Sequence, residues 1–141
     1  MKQDYVKAEK YYRQAAQRGV AVAQSNLGAI YMQGLIVGRD DKEAIKWLRK
    51  AADQGDARAQ SNLGLMIIQG RGVKQNDDEA VRWFRKSAEQ GFAEGQINLG
   101  VSYTNGRGVE KNDAEAAKWF RKAAEQGNVD GQKLLDRISG K

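Results

Sequence analysis

The chain has 141 residues and a formal net charge of +6, with 16 glycines and no histidine, cysteine or proline. These absences exclude Ser-His-Asp and Cys-His catalysis, histidine or thiolate metal sites, and disulfides. The many glycines and the lack of proline predict long helices joined by glycine turns, or regular hairpins. The longest strongly apolar run, 65–68, is far short of the roughly 20 residues of a membrane span, so we expect no membrane insertion.

The sequence repeats itself every 36 residues, and each period contains two helical patterns, called A and B throughout. In the second B pattern, Ala44, Trp47, Leu48 and Ala51 form a single apolar stripe with helical spacing. In chain order, B helices are predicted at 4–17, 40–54, 76–90 and 112–126. The A helices alternate with them at 20–33, 56–69, 92–105 and 129–138.

Turn and cap signals support these boundaries. Three B helices begin with Asp or Asn followed three residues later by Glu, the spacing of a capping box; Asp40 and Glu43 are the first such pair. Gly55 and its equivalents are predicted to end each B helix in the left-handed conformation. A glycine in the middle of each A helix, such as Gly64, costs about 1 kcal/mol relative to alanine. Its recurrence predicts that two helices approach closely there.

The charged and aromatic side chains have structural interpretations. Helical spacing places Trp47, Trp83 and Trp119 in the core, and not on a platform for stacking bases or sugars. The recurring pairs Arg49–Lys50, Arg85–Lys86 and Arg121–Lys122 are expected to complement helix dipoles and to form pairs with acids, more than to bind phosphate. Half of the positive excess lies in residues 1–18. The chain therefore lacks the continuous basic stripe of a nucleic-acid-binding protein, and no nucleic-acid partner is expected.

The repeated string W-F-R-K-A-A-E-Q-G-x-A-x-x-Q-x-x-L-G-x-x-Y-x-x-G-R-G-V resembles the Sel1-like repeat, a relative of the tetratricopeptide repeat. The resemblance implies an all-α fold, a right-handed α-solenoid of antiparallel helix pairs. A helices would line its concave face and B helices its convex face. It further implies a non-catalytic adaptor or scaffold, as in bacterial signalling and envelope proteins, host-interaction factors and subunits of the endoplasmic-reticulum degradation machinery.

We expect one repeat domain over residues 1–141. The register of the first residues indicates that the chain begins inside a repeat, at a B helix; we expect that a longer parent was trimmed at its N-terminus, and a natural start is the alternative. The last A helix, at 128–139, is expected to act as a cap, since Asp136 stands at the register of Gly28, Gly64 and Gly100. No signal peptide is apparent in this chain. The compartment is therefore not predicted, although a periplasmic or secreted location would fit a trimmed N-terminal segment.

The candidate binding residues lie on the predicted concave face. Asparagine offers a donor and an acceptor together, which suits an extended peptide, but a structural bond between neighbouring repeats explains its recurrence equally well. Positions that vary between repeats would set the specificity, and Arg58 and Glu94 give the groove opposite charges. The predicted peptide- or protein-binding residues are Asn26, Asn62, Asn98, Arg58, Leu65, Gln69, Glu94, Ile97 and Val101.

Two other functions remain open at this stage. The open ends could stack, giving a structural self-assembly module; we expect mostly a monomer with weak head-to-tail stacking. Less favoured is a hydrolase acting on β-lactam-like substrates, because the cysteines of such relatives and any Ser-x-x-Lys motif are absent, and Ser87 is followed by Ala-Glu-Gln. No cofactor and no metal are predicted. In the first glycine loop, Leu35 and Ile36 replace Arg-Gly, for corner packing or for a contact surface.

Overall fold

The computed structural model describes residues 2–34 and 38–140, and this part of the chain forms eight α-helices without a strand. The odd-numbered helices are the B helices and the even-numbered ones the A helices. Their bounds agree with the predicted ones to within about two residues. Leu35 and Ile36 lie outside the described residues. In chain order the helices are α1 (Lys2–Gln17), α2 (Ala21–Gln33), α3 (Asp41–Asp53), α4 (Ala57–Gln69), α5 (Asp77–Glu89), α6 (Ala93–Asn105), α7 (Asp113–Glu125) and α8 (Val129–Ile138).

Successive helices pack antiparallel and stack repeat upon repeat, which confirms the predicted α-solenoid. Each helix contacts the one before and the one after it along the chain. The A helices also contact one another across repeats, α2 with α4, α4 with α6 and α6 with α8. The core lies between the A and B layers. Its fully buried large side chains are Leu27, Leu48, Leu63, Met66, Ile67, Phe84, Leu99 and Phe120.

The glycine in the middle of each A helix makes room for a B-helix side chain. A Cβ atom built on Gly64 would lie 2.5 Å from the Phe84 ring and 3.1 Å from the Ala80 carbonyl oxygen. Gly28 meets Leu48, and Gly100 meets Phe120, in the same way. The predicted close approach of the two helices is confirmed, and the atoms nearest to each glycine belong mostly to a leucine or phenylalanine side chain. In α8 the same register holds Asp136, whose carboxylate accepts a hydrogen bond from Gln132 at 2.8 Å.

Only one of the two hydrogen bonds of the predicted capping box is present at the start of α3. The Asp40 carboxylate accepts a hydrogen bond from the Glu43 backbone N–H at 3.1 Å, as a capping box requires. The reciprocal bond is missing, because the Asp40 N–H donates to the Tyr31 carbonyl oxygen instead. Glu43 is then free to accept from the Trp47 indole N–H at 3.1 Å. The expected reciprocal capping box is therefore replaced by a bond that orients a tryptophan.

The three tryptophans are not equally buried. Trp47 and Trp119 are 3% and 6% exposed, as predicted for core residues. Trp83 is only partly buried, so the assignment of this residue to the core was too strong. Lysine side chains cover the outer faces of all three rings, with Lys86 4.8 Å from the Trp83 ring centre. The indoles are thus shielded by the alkyl stems of lysines as well as by the core.

Buried glutamines of the A helices, each bonded to an exposed glutamine at the end of a B helix, join the repeats. Gln60, which is 4% exposed, donates to the Ala52 carbonyl oxygen at 3.2 Å and accepts from Gln90 at 2.8 Å. Gln90 also donates to the Gly55 carbonyl oxygen at 2.9 Å. One buried amide therefore links α3, α4 and α5. The same bonds recur around Gln24 and Gln54, and around Gln96 and Gln126; we call these six residues the glutamine network.

The arginine of each described Gly-Arg-Gly loop reaches back to the preceding repeat. Arg71 donates to the Met32 carbonyl oxygen and to the Asp41 carboxylate, both at 2.8 Å. Gly72 has a φ of 74°, and a Cβ there would lie 2.5 Å from the Asp41 carbonyl oxygen. Arg107 repeats this contact with Ile68 and Asp77. These loops thus hold neighbouring repeats together, a role that the sequence analysis did not assign to them.

We expect Gln60→Ala to lower the free energy of unfolding by about 1–3 kcal/mol, because it removes the bonds from Gln60 to the Ala52 carbonyl oxygen and from Gln90 to Gln60. Urea unfolding followed by circular dichroism measures this change. Gln69→Ala is the matched control: it is an exposed glutamine on the same helix, with no side-chain hydrogen bond among the described residues. Equal losses for the two variants would contradict the role of the glutamine network.

The hydrogen bond from Arg71 lowers the pKa of Asp41 below its usual range. A carboxyl group whose pKa is lowered in the folded state stabilises the protein above its unfolded pKa of about 4, and this contribution disappears as the pH falls through the folded pKa. We expect Arg71→Met to raise the pKa of Asp41 and to remove the loss of folding stability that protonation of Asp41 causes at low pH. Carbon-detected NMR titration of the Asp41 carboxyl measures the shift. Arg121→Met, an exposed arginine, should leave the pKa of Asp41 unchanged; a shift there, or none in Arg71→Met, would contradict the assignment.

Candidate functional site

The nine predicted binding residues lie on three A helices. Asn26 is on α2, Arg58, Asn62, Leu65 and Gln69 are on α4, and Glu94, Ile97, Asn98 and Val101 are on α6. None of them is fully buried. Arg58, Gln69 and Glu94 are exposed, and the other six are partly buried. We call the surface that these residues share, together with the equivalent surface of α8, the A-helix face.

The three repeated asparagines are used differently. Asn26 accepts a hydrogen bond from the Arg58 guanidinium at 2.8 Å, and Asn98 donates to the Ser61 hydroxyl at 3.0 Å. Both bonds connect neighbouring A helices, which is the structural role that the sequence left open. Among the described residues, no hydrogen bond engages the side chain of Asn62. The Asn62 amide, the side-chain N–H groups of Asn26 and the side-chain carbonyl of Asn98 thus make no side-chain hydrogen bond among the described residues.

Two cavities open between adjacent A helices. The first, of about 110 Å³, lies between α4 and α6 and brings together three predicted residues, Leu65, Asn98 and Val101. The second, of about 270 Å³, lies between α6 and α8 and shares Val101 with the first. The other six predicted residues line neither cavity. The remaining walls of the first are Ile68, Phe84, Ser102, Asn105 and Arg107, and those of the second are Thr104, Asn105, Phe120, Leu134, Arg137 and Ile138.

The two cavities are equivalent in the repeat. Leu65 and Phe84 of the first correspond to Val101 and Phe120 of the second, 36 residues later in each case. Ile68 and Ile138 were not predicted to lie on this face, because each cavity is formed between two A helices that are not consecutive in the sequence. The sequence signal that favours this face is their helical spacing from other apolar residues, Ile68 three positions after Leu65 and Ile138 four positions after Leu134.

A wider groove of about 900 Å³ lies between the B helices α5 and α7. Arg85 donates to the Tyr103 hydroxyl at 2.6 Å within it, and the buried indole N–H of Trp119 has no acceptor among the described residues. Four cations and three carboxylates line this groove, so it has no marked charge preference. The cations are Arg85, Lys111, Lys118 and Lys122, and the carboxylates are Glu89, Glu110 and Glu115.

The basic pairs of the B helices are mostly engaged within the protein. Arg49 forms an ion pair with Glu79 at 3.2 Å, and Lys50 lies 5.1 Å from the Trp47 ring centre. Such contacts agree with a structural role for these cations. Within residues 2–34 and 38–140, no group of three acidic residues is arranged to hold a metal ion. No helix in the same ranges is both long and apolar enough to cross a bilayer.

The chain is similar to known repeat proteins. The Sel1 repeat family model matches residues 1–20, 21–56, 57–92 and 93–128. A solved protective antigen of uropathogenic Escherichia coli strains, which displays an SLR fold, is 43% identical with a TM-score of 0.85. A Sel1 repeat protein from Oxalobacter formigenes is 36% identical with a TM-score of 0.84. Each match covers 92% of this chain, which spans 28% and 51% of the length of those two proteins.

A third solved structure, cysteine-rich protein B of Helicobacter pylori, supports the fold alone. It is 24% identical with a TM-score of 0.73, and the match covers 96% of this chain and 97% of that one. The present chain has no cysteine. A search of curated proteins found no match.

Two of the asparagines can be separated by their effect on stability. We expect Asn98→Ala to lower the free energy of unfolding by about 0.5–1.5 kcal/mol, because its bond to Ser61 is lost. Asn62→Ala should change it by less than about 0.5 kcal/mol, as is usual for a side chain without such bonds. Urea unfolding of both variants under the same conditions measures the difference. A larger loss for Asn62→Ala would mean that its amide has a structural partner.

Proposed function

Because the chain belongs to the Sel1 repeat family, we propose that it is a non-catalytic scaffold that holds another protein, or an extended peptide, along its A-helix face. Sel1 repeat proteins typically bind other proteins, and the family is generally non-catalytic. The observation that carries the proposal is the pair of equivalent cavities between the A helices. Their walls combine apolar side chains with a few polar groups, which is the composition of ligand-binding pockets in general.

The polar and apolar groups of the A-helix face favour a protein ligand. Asn62 and Asn98 lie on adjacent helices and can pair with backbone N–H and C=O groups. Leu65 and Val101 supply apolar contact beside them. Glu94 makes no ion pair among the described residues and remains available to a partner cation. The A-helix face therefore offers polar groups that can orient a ligand backbone and apolar groups that can bury its side chains.

The alternative functions have less support. Self-assembly by continued stacking would bring a B helix of a second copy against α8. There it would meet Asp136, where the internal repeats have a glycine that accommodates Leu48 or a phenylalanine. Hydrolysis of β-lactam-like substrates would need an activated nucleophile. Ser87 is fully buried, and its hydroxyl donates to the Ala57 carbonyl oxygen at 2.7 Å.

Photo-crosslinking in a candidate source cell tests the proposed surface. A benzophenone amino acid placed at Gln69, on the A-helix face, should capture a discrete partner. The matched control is the same amino acid at Arg82, an exposed position on the B helix α5. We expect the first variant to give at least about tenfold more crosslinked product than the second. Equal capture at both positions, or capture only at Arg82, would assign binding to another surface.

A further inference from the structure

The two cavities of the A-helix face form a pair with a defined separation. One lies between α4 and α6 and the other between α6 and α8, at equivalent positions of successive repeats. Their displacement is therefore the spacing of adjacent packed helices, about 8–10 Å. A ligand that fills both cavities must present two side chains on one side of its backbone at that separation.

This separation suits one backbone conformation best. A polyproline II segment has three residues per turn and a rise of about 3.1 Å, so residues i and i+3 lie on the same side and about 9.3 Å apart. In a β-strand, residues i and i+2 share a face but are only about 6.7 Å apart, and residue i+3 lies on the opposite face. In an α-helix, side chains on one face recur at about 5–6 Å and again near 10.5 Å, seven residues on.

Amide groups next to the cavities distinguish polyproline II from a helix. Asn105 lines both cavities, is exposed, and has no side-chain hydrogen bond among the described residues. Asn98 uses its N–H group on Ser61 and keeps its side-chain oxygen free. The backbone of polyproline II has no internal hydrogen bonds, so it can pair with these amides. A helical ligand has already satisfied its backbone and would leave them unused.

The charged side chains that line the cavities indicate which charge the ligand carries. Each cavity is lined by one arginine and by no carboxylate. Arg107 at the first cavity is already paired with Asp77 at 2.9 Å. At the second, Arg137 is exposed, and no carboxylate of the described residues pairs with it. Arg137 is complemented by an acidic residue of the ligand, next to the ligand's apolar side chain in the second cavity.

We propose that the A-helix face binds a polyproline II segment with apolar residues at i and i+3 and an acidic residue next to one of them. This inference rests on the proposed function and specifies the class of partner. Val101 forms a wall of both cavities, so it contacts both apolar side chains of the ligand. Asn105, between the two cavities, contacts the ligand backbone, and Arg137 pairs with the acidic residue.

Fluorescence anisotropy with labelled peptides of one composition tests the spacing. All contain two leucines, one glutamate and several prolines, and only the interval between the leucines changes. We expect the i,i+3 peptide to bind at least about tenfold more tightly than the i,i+2 and i,i+4 isomers, because those can bury only one leucine. A helix-forming peptide with leucines at i and i+7 is the competing ligand. Tighter binding of that peptide, or equal binding of all spacings, would overturn the inference.

Variants locate the site and separate its groups. Val101→Asp should abolish binding of the i,i+3 peptide, and the milder Asn105→Ala should weaken it about threefold or more without loss of helical signal. Arg137→Gln should weaken the glutamate peptide but not its glutamine analogue, and Arg121→Gln on α7 is the control. Binding that is insensitive to Val101→Asp and Asn105→Ala would contradict the site. No binding by any peptide would overturn this inference alone, since crosslinking from Gln69 tests the proposed function separately.

Discussion

The glutamine network, in which every second amide is buried, is the interaction on which the stacking of the repeats depends. An amide side chain taken out of water must satisfy both its donor and its acceptor, and Gln60 does so only when the B helices before and after it are in place. The packing of Phe84 over Gly64 fixes how α4 and α5 fit together, and the bond from Gln60 to Ala52 adds a polar link to the preceding helix. The amide bonds therefore set the register of one repeat on the next, and the cavities of the A-helix face follow from that register.

The architecture could be predicted from the sequence because its determinants are local. Apolar periodicity, Asx caps and glycine stops are read within one helix, and the 36-residue period predicts that all repeats fold alike. The predictions that were wrong involve contacts between helices. Trp83 is less buried than its equivalents, and Glu43 bonds to a tryptophan instead of completing a capping box. The Glu43–Trp47 bond itself lies within α3, but the capping box is incomplete because the Asp40 N–H donates to the Tyr31 carbonyl oxygen of α2.

The candidate site was predictable only in part for the same reason. Asn26 and Asn98 recur at one position, yet their partners, Arg58 and Ser61, belong to a neighbouring repeat and differ from each other. A binding role and a structural role use the same amide, so the sequence cannot separate them. The apolar cavities arise from the space left between helices. Leu65 and Val101 point to them, but the depth of a cavity depends on how closely neighbouring helices pack.

The regular spacing of the bonds between repeats also bears on how such a chain can grow. Gln54 bonds to Gln24 and to Gly19, 30 and 35 positions earlier, and Gln90 and Gln126 repeat both intervals. Duplicating one whole period in the gene would preserve every such interval within the old and new units. Inserting a single codon within a helix would rotate all later side chains by about 100° and break several bonds at once. Length can therefore change by entire modules through recombination, while small insertions are confined to the connecting loops.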